Sequence, residues 1–362
     1  MNTNYKRIIV KIGSNVLTRP DGGPDVDRMA HLVSQIAEIR ARGMEIILVS
    51  SGAVAFGRSL ITVAHRYDPV AARQLLASTG QIELINTFAR LFRAHDTLCS
   101  QVLVTKEDFR DRLHYLNMKN CFEILLQHRV LPVVNENDVI SVTELMFTDN
   151  DELAGLIASM LNADALVLLT NVDGIYRGNP REEDHQLIET FDADAQGIQS
   201  LISPSRSEFG RGGMRTKSAI AQKAARLGIA VHIANGTAEG VLTRLLEGEL
   251  SHTRFIPERH TSGKKKWIAA SEPYAKGAVQ VNQGAAEALC SRRATSLLPI
   301  GVVKVAGEFQ KGDVIRILDE EGRQLGLGIA EYGAEKARER VGKNRQRPLV
   351  HYDYLYLTSE KH

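Results

Sequence analysis

The sequence predicts an α/β protein: an α/β/α sandwich on a central, mainly parallel sheet, followed by a small, mostly β module. Three observations predict it. Short apolar runs alternate with segments of helical periodicity through the first 250 residues. Those runs are continuously apolar through their centres, as in strands covered by helices on both faces, rather than at alternate positions. Past residue 262 the texture changes to short apolar runs punctuated by glycines, and the charge balance changes with it. The chain of 362 residues has a formal net charge of only +2, yet residues 1–262 hold 28 basic and 31 acidic side chains and residues 263–362 hold 17 and 12. A mildly acidic part joined to a basic part indicates two modules. We place them at 1–250 and 263–362, with a polar, proline-containing linker at 251–262 (SHTRFIPERHTS).

The elements follow in order. Residues 7–11 (RIIVK) read as a strand. Residues 27–42 carry Met29, Leu32, Val33, Ile36 and Ile39 on one helical face and stop at Gly43. A second buried strand at 45–49 (EIILV) runs into the small-residue turn Ser50-Ser51-Gly52-Ala53 and a helix. Residues 69–94 read as one long helix or two, 98–104 as a strand and 113–128 as a helix. A strand at 130–135, a helix at 152–161 and a strand at 165–170 come next. A helix at 213–227, a strand at 229–234 and a helix at 238–247 complete the first module. In the second, apolar runs at 267–270, 278–281, 300–305, 314–317, 325–329 and 349–357 surround one short helix at 285–290.

Composition removes several classes. Apolar residues make up 43% and charged residues 24%, ordinary for a chain with a real core. Cys99, Cys121 and Cys290 lie far apart and form no CxxC pair, so neither a disulfide framework nor a zinc ribbon is expected, which fits a cytoplasmic location. The opening residues carry no secretory signal pattern, and no apolar run approaches membrane-spanning length. The histidines form no HExxH, and no protein-held metal is expected.

Glycines at strand ends suggest phosphate handling, but neither a GxxxxGK[ST] loop nor a GxGxxG fingerprint occurs. Four other segments carry chemistry. Lys11-Ile-Gly13-Ser14-Asn15 leaves the first strand at the sheet edge where open α/β sheets bind ligands. Gly13 would let a backbone N–H approach an oxyanion closely. Ser50-Ser51-Gly52-Ala53 joins a strand to a helix N-terminus that favours an anion. Asn135-Glu136-Asn137-Asp138 and Thr148-Asp149-Asn150-Asp151-Glu152 offer more amides and carboxylates than two helix caps need. They could hold an ammonium group, magnesium or an active-site lysine. Gly210-Arg211-Gly212-Gly213-Met214-Arg215-Thr216-Lys217 opens a helix with glycines, a hydroxyl and a lysine, a good anion site.

On these segments the chain resembles the amino acid kinase family, and within it the glutamate 5-kinases with a C-terminal PUA module. KIGSNVLT (11–18), SSGAVAFG (50–57), NENDVIS (135–141), TDNDELAGLIA (148–158), LLTNVDGIY (168–176) and GGMRTK (212–217) carry the resemblance. KKWIAA (265–270), TSLLPIGV (295–302) and GEFQKGDVIRI (307–317) extend it into the second module. It implies ATP-dependent phosphorylation of the L-glutamate γ-carboxylate to glutamyl 5-phosphate, the first step of proline biosynthesis, with magnesium carried on ATP. By resemblance, Lys11 and Lys217 bind phosphates and stabilise the transferring group, Asp149 organises the two lysines, and Asp151 sits nearby. Ser51, Gly52, Asn135, Asp138 and Asn150 match the glutamate-binding positions, Asp138 facing the substrate ammonium. Lys11, Gly13, Ser14, Thr170, Asn171, Arg211, Gly212, Gly213, Met214, Arg215, Thr216 and Lys217 match the ATP-binding segments. Relatives are often inhibited by L-proline and form dimers or tetramers, so a homo-oligomer is expected.

Three departures from the family pattern stand out: Asn171 in place of the common aspartate, Arg211 and Arg215 in the glycine loop, and the ending LVHYDYLYL at 349–357. Two alternatives follow from the same features. One is a sister kinase acting on another small acid, which would share Lys11 and VDGIY but not the NEND and DND pair. The other is an RNA-binding protein acting through the PUA module, whose best feature is the basic stretch from Lys336 to Arg347. A solvated helix and loop is the preferred reading of that stretch.

Overall fold

The computed structural model describes residues 5–62, 68–109, 112–140, 147, 149–177, 186–193, 195, 197–198, 213–258, 268–269, 272, 275–291 and 295–357. The chain divides into two compact units, Met1–His260 and Thr261–His362.

In the first unit the buried apolar runs become β1 (Arg7–Ile12), β2 (Glu45–Ser50), β3 (Cys99–Val104), β4 (Leu131–Glu136) and β5 (Ala165–Thr170). Short strands β6 (Ile175–Arg177), β7 (Gln186–Ile188) and β8 (Thr190–Asp192) precede β9 (Ala230–Asn235) and β10 (Thr253–Ile256). Eight of these form one sheet in the order β3-β4-β2-β1-β5-β9-β10-β8. Neighbours from β3 to β9 are parallel, β10 runs antiparallel to β9, and β8 lies parallel to β10. The parallel strands therefore end together, bringing Ile12, Ser50, Glu136 and Thr170 to one edge.

The helices are α1 (Ser14–Leu17), α2 (Val26–Ala41), α3 (Ala53–Leu60), α4 (Pro69–Arg93), α5 (Arg112–Gln127), α6 (Asn150–Met160), α7 (Met214–Arg226) and α8 (Val241–Glu247). The periodic face of α2 is buried at Met29, Leu32, Val33, Ile36 and Ile39, in one core with Ile8, Val10 and Ile12 of β1. Alternation along β1 turns Lys11 to the opposite face of the sheet. Residues 69–93 form one helix, entered through Pro69 and capped by the Asp68 carboxylate, which accepts from the N–H groups of Val70 and Ala71. No helix among the described residues is long and apolar enough to cross a membrane.

The linker expected at 251–262 is corrected in part, because Thr253–Ile256 is a strand of this sheet. Thr253 and Phe255 are buried while Arg254 and Ile256 are more exposed, and Phe255 stacks on Phe191 at 5.1 Å. Two inward residues in a polar segment are too few to show a period. The same shortness conceals β6, β7 and β8.

Helices α3 and α4 meet backbone to backbone. A Cβ on Gly80 would lie 1.9 Å from the Ala53 carbonyl oxygen, and one on Gly57 would lie 2.0 Å from that of Leu76. Only glycine allows this approach.

The second unit is a five-stranded sheet of β11 (Gly277–Val281), β12 (Val302–Gly307), β13 (Val314–Leu318), β14 (Gln324–Ile329) and β15 (Leu355–Leu357), in the order β12-β11-β13-β14-β15. Helices α9 (Gln283–Cys290) and α10 (Ala334–Arg340) accompany it. Val279, Val281, Ile315, Ile317 and Val350 form its core, and Ile268 packs on Leu327 in a second cluster. Part of the basic stretch is engaged within the unit. Arg338 donates to the Glu308 carboxylate at 2.6 Å and to the Gly307 carbonyl at 2.7 Å, and Arg340 sits 4.8 Å from the centre of the Tyr332 ring.

Gly80→Ala is expected to push α3 away from α4 and to cost about 3 kcal/mol. The check is the urea midpoint, which should fall with little change in slope, whereas Gly284→Ala, in α9 with ordinary space around it, serves as the control for loss of a helical glycine alone.

Candidate active site

Four chain segments meet at the carboxyl edge of the sheet around a cleft of about 370 Å³. β1 supplies Lys11, followed by Gly13 and Ser14; β2 leads to Ser51 and Gly52; β4 leads through Asn135 to Asp138; and the start of α6 brings Asp149, Asn150 and Asp151. Thr170 at the end of β5 and Lys217 of α7 complete the lining.

The first turn of α6 divides its three residues by direction, since successive helical residues point about 100° apart. Asp149 precedes the helix and caps it: its Oδ1 accepts from the N–H groups of Asp151 at 3.0 Å and Glu152 at 3.1 Å. Asn150 turns toward β2 and β4. Its amide donates to the Ser50 carbonyl at 3.1 Å, the Ser51 hydroxyl at 3.1 Å and Asn135 Oδ1 at 3.0 Å. Asn135 passes the contact on by donating to Gln81 Oε1 at 2.8 Å. Asp151 turns toward β1 and α7. Its Oδ1 lies 2.6 Å from Lys11 Nζ and its Oδ2 lies 2.6 Å from Lys217 Nζ.

Asp151 is fully buried, and both lysines are nearly so. The expected division of labour between the two aspartates is therefore corrected: Asp151 holds the lysine pair and Asp149 is the helix cap. Both belong to a D-N-D triplet, and only the start of the helix decides which one faces the lysines.

Burial alone would raise the Asp151 pKa, but the two ammonium groups outweigh it and hold the carboxyl well below the usual range. Asp149 goes the other way. Burial, reinforced by the negative charge of Asp151, pushes it up to about 6, and its Oδ2 has no partner among the described residues. Burial lowers Lys11, with the positive charge of Lys217 adding to the effect, while the Asp151 carboxylate raises Lys217 against its own burial.

The glycine of the first segment works differently from expectation. The Gly13 N–H is used by the Leu169 carbonyl at 3.1 Å, so Gly13 lines the cleft without offering its N–H to a ligand. Gly52 does fit a ligand site: at φ +113° it starts α3 in the left-handed region, and residues 52–55 line the cleft with no side chain capping the helix.

The fourth segment is only partly brought in. Gly213 begins α7 and Lys217 reaches Asp151 from one turn inside it, but Arg211 and Gly212 lie outside the described residues. Met214, Arg215 and Thr216 form the first turn of α7, with Arg215 exposed. Thr170 is buried in the lining, and its hydroxyl lies 3.4 Å from the side-chain carbonyl of the exposed Asn171.

Two arginines carry no signal in the sequence. Arg73 of α4 donates from Nε at 2.9 Å and from Nη2 at 2.5 Å to Asp138 Oδ1, and it stands 3.7 Å from Glu136. Arg58 of α3 lines the cleft nearby. Arg73 sits in a helical run with no acidic or glycine-rich motif beside it, and Arg58 falls just past the end of the SSGAVAFG segment. The lining thus holds four cations (Lys11, Arg58, Arg73, Lys217) against three carboxylates (Asp138, Asp149, Asp151). A cleft with surplus positive charge and small flexible backbone suits polyanions and carboxylates.

The described residues contain no group of three or more His, Cys, Asp or Glu placed to hold a metal ion. Of the two deepest carboxylates that line the cleft, Asp151 is fully engaged by lysines and Asp149 offers one oxygen. Among the described residues, the protein alone does not build a magnesium site.

The family model for the amino acid kinase family matches residues 6–235, the stretch that builds this cleft. The chain belongs to the amino acid kinase family. A PUA domain model matches residues 277–350 in the second unit. The chain is 51% identical over 354 residues to a protein of Chlorobaculum tepidum named glutamate 5-kinase, covering 98% of each chain. It is 50% identical over 360 residues to one of Bacteroides thetaiotaomicron with the same name, covering 99% of this chain and 100% of that one. Among solved structures, carbamate kinase from Giardia lamblia bound to AMP-PNP superposes with a TM-score of 0.51 at 18% identity, over 71% of this chain and 100% of that one. That likeness extends the family membership to the fold.

The two aspartates are expected to respond to pH in opposite senses. A raised Asp149 favours the folded state below pH 3.8, and that contribution is lost as pH rises through about 6. Asp149→Asn keeps a cap acceptor, so its stability relative to the native chain should grow between about pH 4 and 7, by up to about 3 kcal/mol. Asp151→Asn leaves two buried ammonium groups without a counter-charge and should destabilise by about 3–5 kcal/mol at about pH 7. Its penalty should shrink only in strong acid, because the native Asp151 pKa is depressed and its contribution is lost as pH falls. Denaturant melts of the three proteins across about pH 2–8 read both effects.

Proposed function

We propose that the chain transfers the γ-phosphoryl group of ATP to the γ-carboxylate of L-glutamate, producing glutamyl 5-phosphate, which enters proline biosynthesis. Two joined observations support this reading: a pair of buried lysines on one carboxylate at the floor of the cleft, and full-length similarity to proteins named glutamate 5-kinase.

A carboxylate is already a nucleophile at neutral pH, so the reaction needs no general base. The obstacle is the approach of one anion to another. In this reading Lys11 and Lys217 neutralise the phosphates and the equatorial oxygens of the transferring group. Asp151 holds both in place beforehand, so little reorganisation accompanies the reaction. Asp149 fixes the start of α6 and, through it, the position of Asp151. The acceptor end of the cleft is Ser51, Gly52, Asn135, Asp138 and Asn150. The ATP end comprises Gly13, Ser14, Thr170, Asn171 and the start of α7, from Gly213 to Lys217. Magnesium would arrive with the nucleotide.

The decisive assay is ATP-dependent hydroxamate formation, which traps an acyl phosphate. L-Glutamate should be the preferred acceptor, and preference for aspartate or N-acetylglutamate overturns the assignment. Lys217→Ala should lower kcat by about 10³-fold with a small change in glutamate KM, because its charge acts on the transferring group. Asp138→Ala should chiefly raise the glutamate KM.

A further inference from the structure

The cleft contains a second ion pair, Arg73 with Asp138, in which Arg73 has no task in the scheme above. Both bonds from Arg73 converge on Oδ1 of Asp138. Among the described residues, Arg73 Nη1 and Asp138 Oδ2 have no protein partner, and both residues line the cleft. The Arg73 side chain is 28% exposed and that of Asp138 is 8% exposed, so the pair is anchored but accessible.

We propose that this pair reads the α-amino-acid head group of the acceptor, with Asp138 taking the ammonium and Arg73 taking the α-carboxylate. The inference rests on the glutamate reading and deepens it.

Geometry drives the assignment. In an α-amino acid the ammonium and the carboxylate are attached to one carbon, so their partners must also be adjacent. Once the ammonium is assigned to Asp138, the cation for the α-carboxylate must stand beside Asp138. Arg73 stands there, at hydrogen-bond distance. Lys11 and Lys217 are committed to Asp151. Arg58 lines the same cleft on α3, but among the described residues it is Arg73, not Arg58, that bonds to Asp138. A zwitterion laid against an ion pair places each charge opposite its complement, and both free groups become used. The guanidinium is also the side chain whose fork suits a carboxylate while it holds a neighbour with its remaining donors. Glu136, buried and 3.7 Å from Arg73, adds a second negative charge that holds the guanidinium in this corner. The consequence is selectivity: an acceptor with the same reacting carboxylate and the same amine, but no α-carboxylate, loses the Arg73 contact.

4-Aminobutyrate is that acceptor, being L-glutamate without its α-carboxylate. The test compares the two by hydroxamate formation in the native chain, Arg73→Gln and Arg73→Lys. Where turnover of 4-aminobutyrate is below detection, its inhibition constant against L-glutamate replaces the rate. Arg73→Gln should lower kcat/KM for L-glutamate by about 10–100-fold, mainly through KM. It should leave 4-aminobutyrate within about threefold, since that molecule never had the contact. Arg73→Lys, keeping charge without the fork, should fall between. Thermal melts verify folding of each variant.

Equal losses with both molecules would mean that Arg73 only positions Asp138, and would overturn the proposal. Unchanged discrimination would place the α-carboxylate elsewhere, for example at the start of α3, and would overturn it too. If the native chain does not phosphorylate L-glutamate at all, the functional reading fails instead.

Discussion

One buried carboxylate between two buried ammonium groups organises the kinase unit. Asp151 of α6 reaches Lys11 of β1 and Lys217 of α7 at 2.6 Å each. Three elements far apart in sequence are fixed to one another by these contacts. Two like charges at this depth would repel strongly without the anion between them, since a low-dielectric interior screens little. The arrangement keeps one positive charge in excess over Asp151, directed at the cleft. A phosphate entering there meets cations already in place. This explains how a unit of slightly negative net charge handles a polyanion: its cations are few and positioned.

The cleft repeats the device in a softer form. At the floor the ion triad is buried and rigid; at the acceptor end Arg73 and Asp138 are paired but partly open. The first suits charge that moves during reaction, the second suits a charged molecule that must enter and leave. The glycine contact between α3 and α4 joins the ends mechanically. It seats the start of α3, with Ser51 and Gly52 before it, against the helix that carries Arg73. The Asn150–Asn135–Gln81 chain of amides ties α6 to the same helix.

Much of this is legible in the amino-acid sequence. The apolar runs Ile46–Val49 and Ala165–Leu169 are buried along their whole length, and the spacing of Met29 through Ile39 marks the face of α2 that is buried. Glycines and acids clustered at strand ends point to the edge where the cleft lies, and the resemblance sorts them into a family. What is not legible has physical causes. Strands β6, β7, β8 and β10 are too short for periodicity. Asp149 and Asp151 are indistinguishable until the first residue of α6 is known, because helix register assigns their directions. Gly13 suggests an anion contact that its N–H cannot make, since the Leu169 carbonyl of the neighbouring strand takes it. Arg73 sits in an ordinary helical run, and its meeting with Asp138 depends on tertiary packing alone.

Every role assigned to the lysines requires the substrate carboxylate to be the nucleophile that attacks ATP. L-Glutamate labelled with ¹⁸O in its γ-carboxylate decides this. A carboxylate that attacks phosphorus leaves its own oxygen as the bridge of the acyl phosphate. Hydroxylamine then cleaves at carbon and releases that oxygen with the phosphate. One ¹⁸O is expected in each inorganic phosphate formed with the hydroxamate, read by mass spectrometry or ³¹P NMR. Phosphate free of label would mean that the glutamate oxygen never bonded to phosphorus, and would contradict direct attack by the carboxylate.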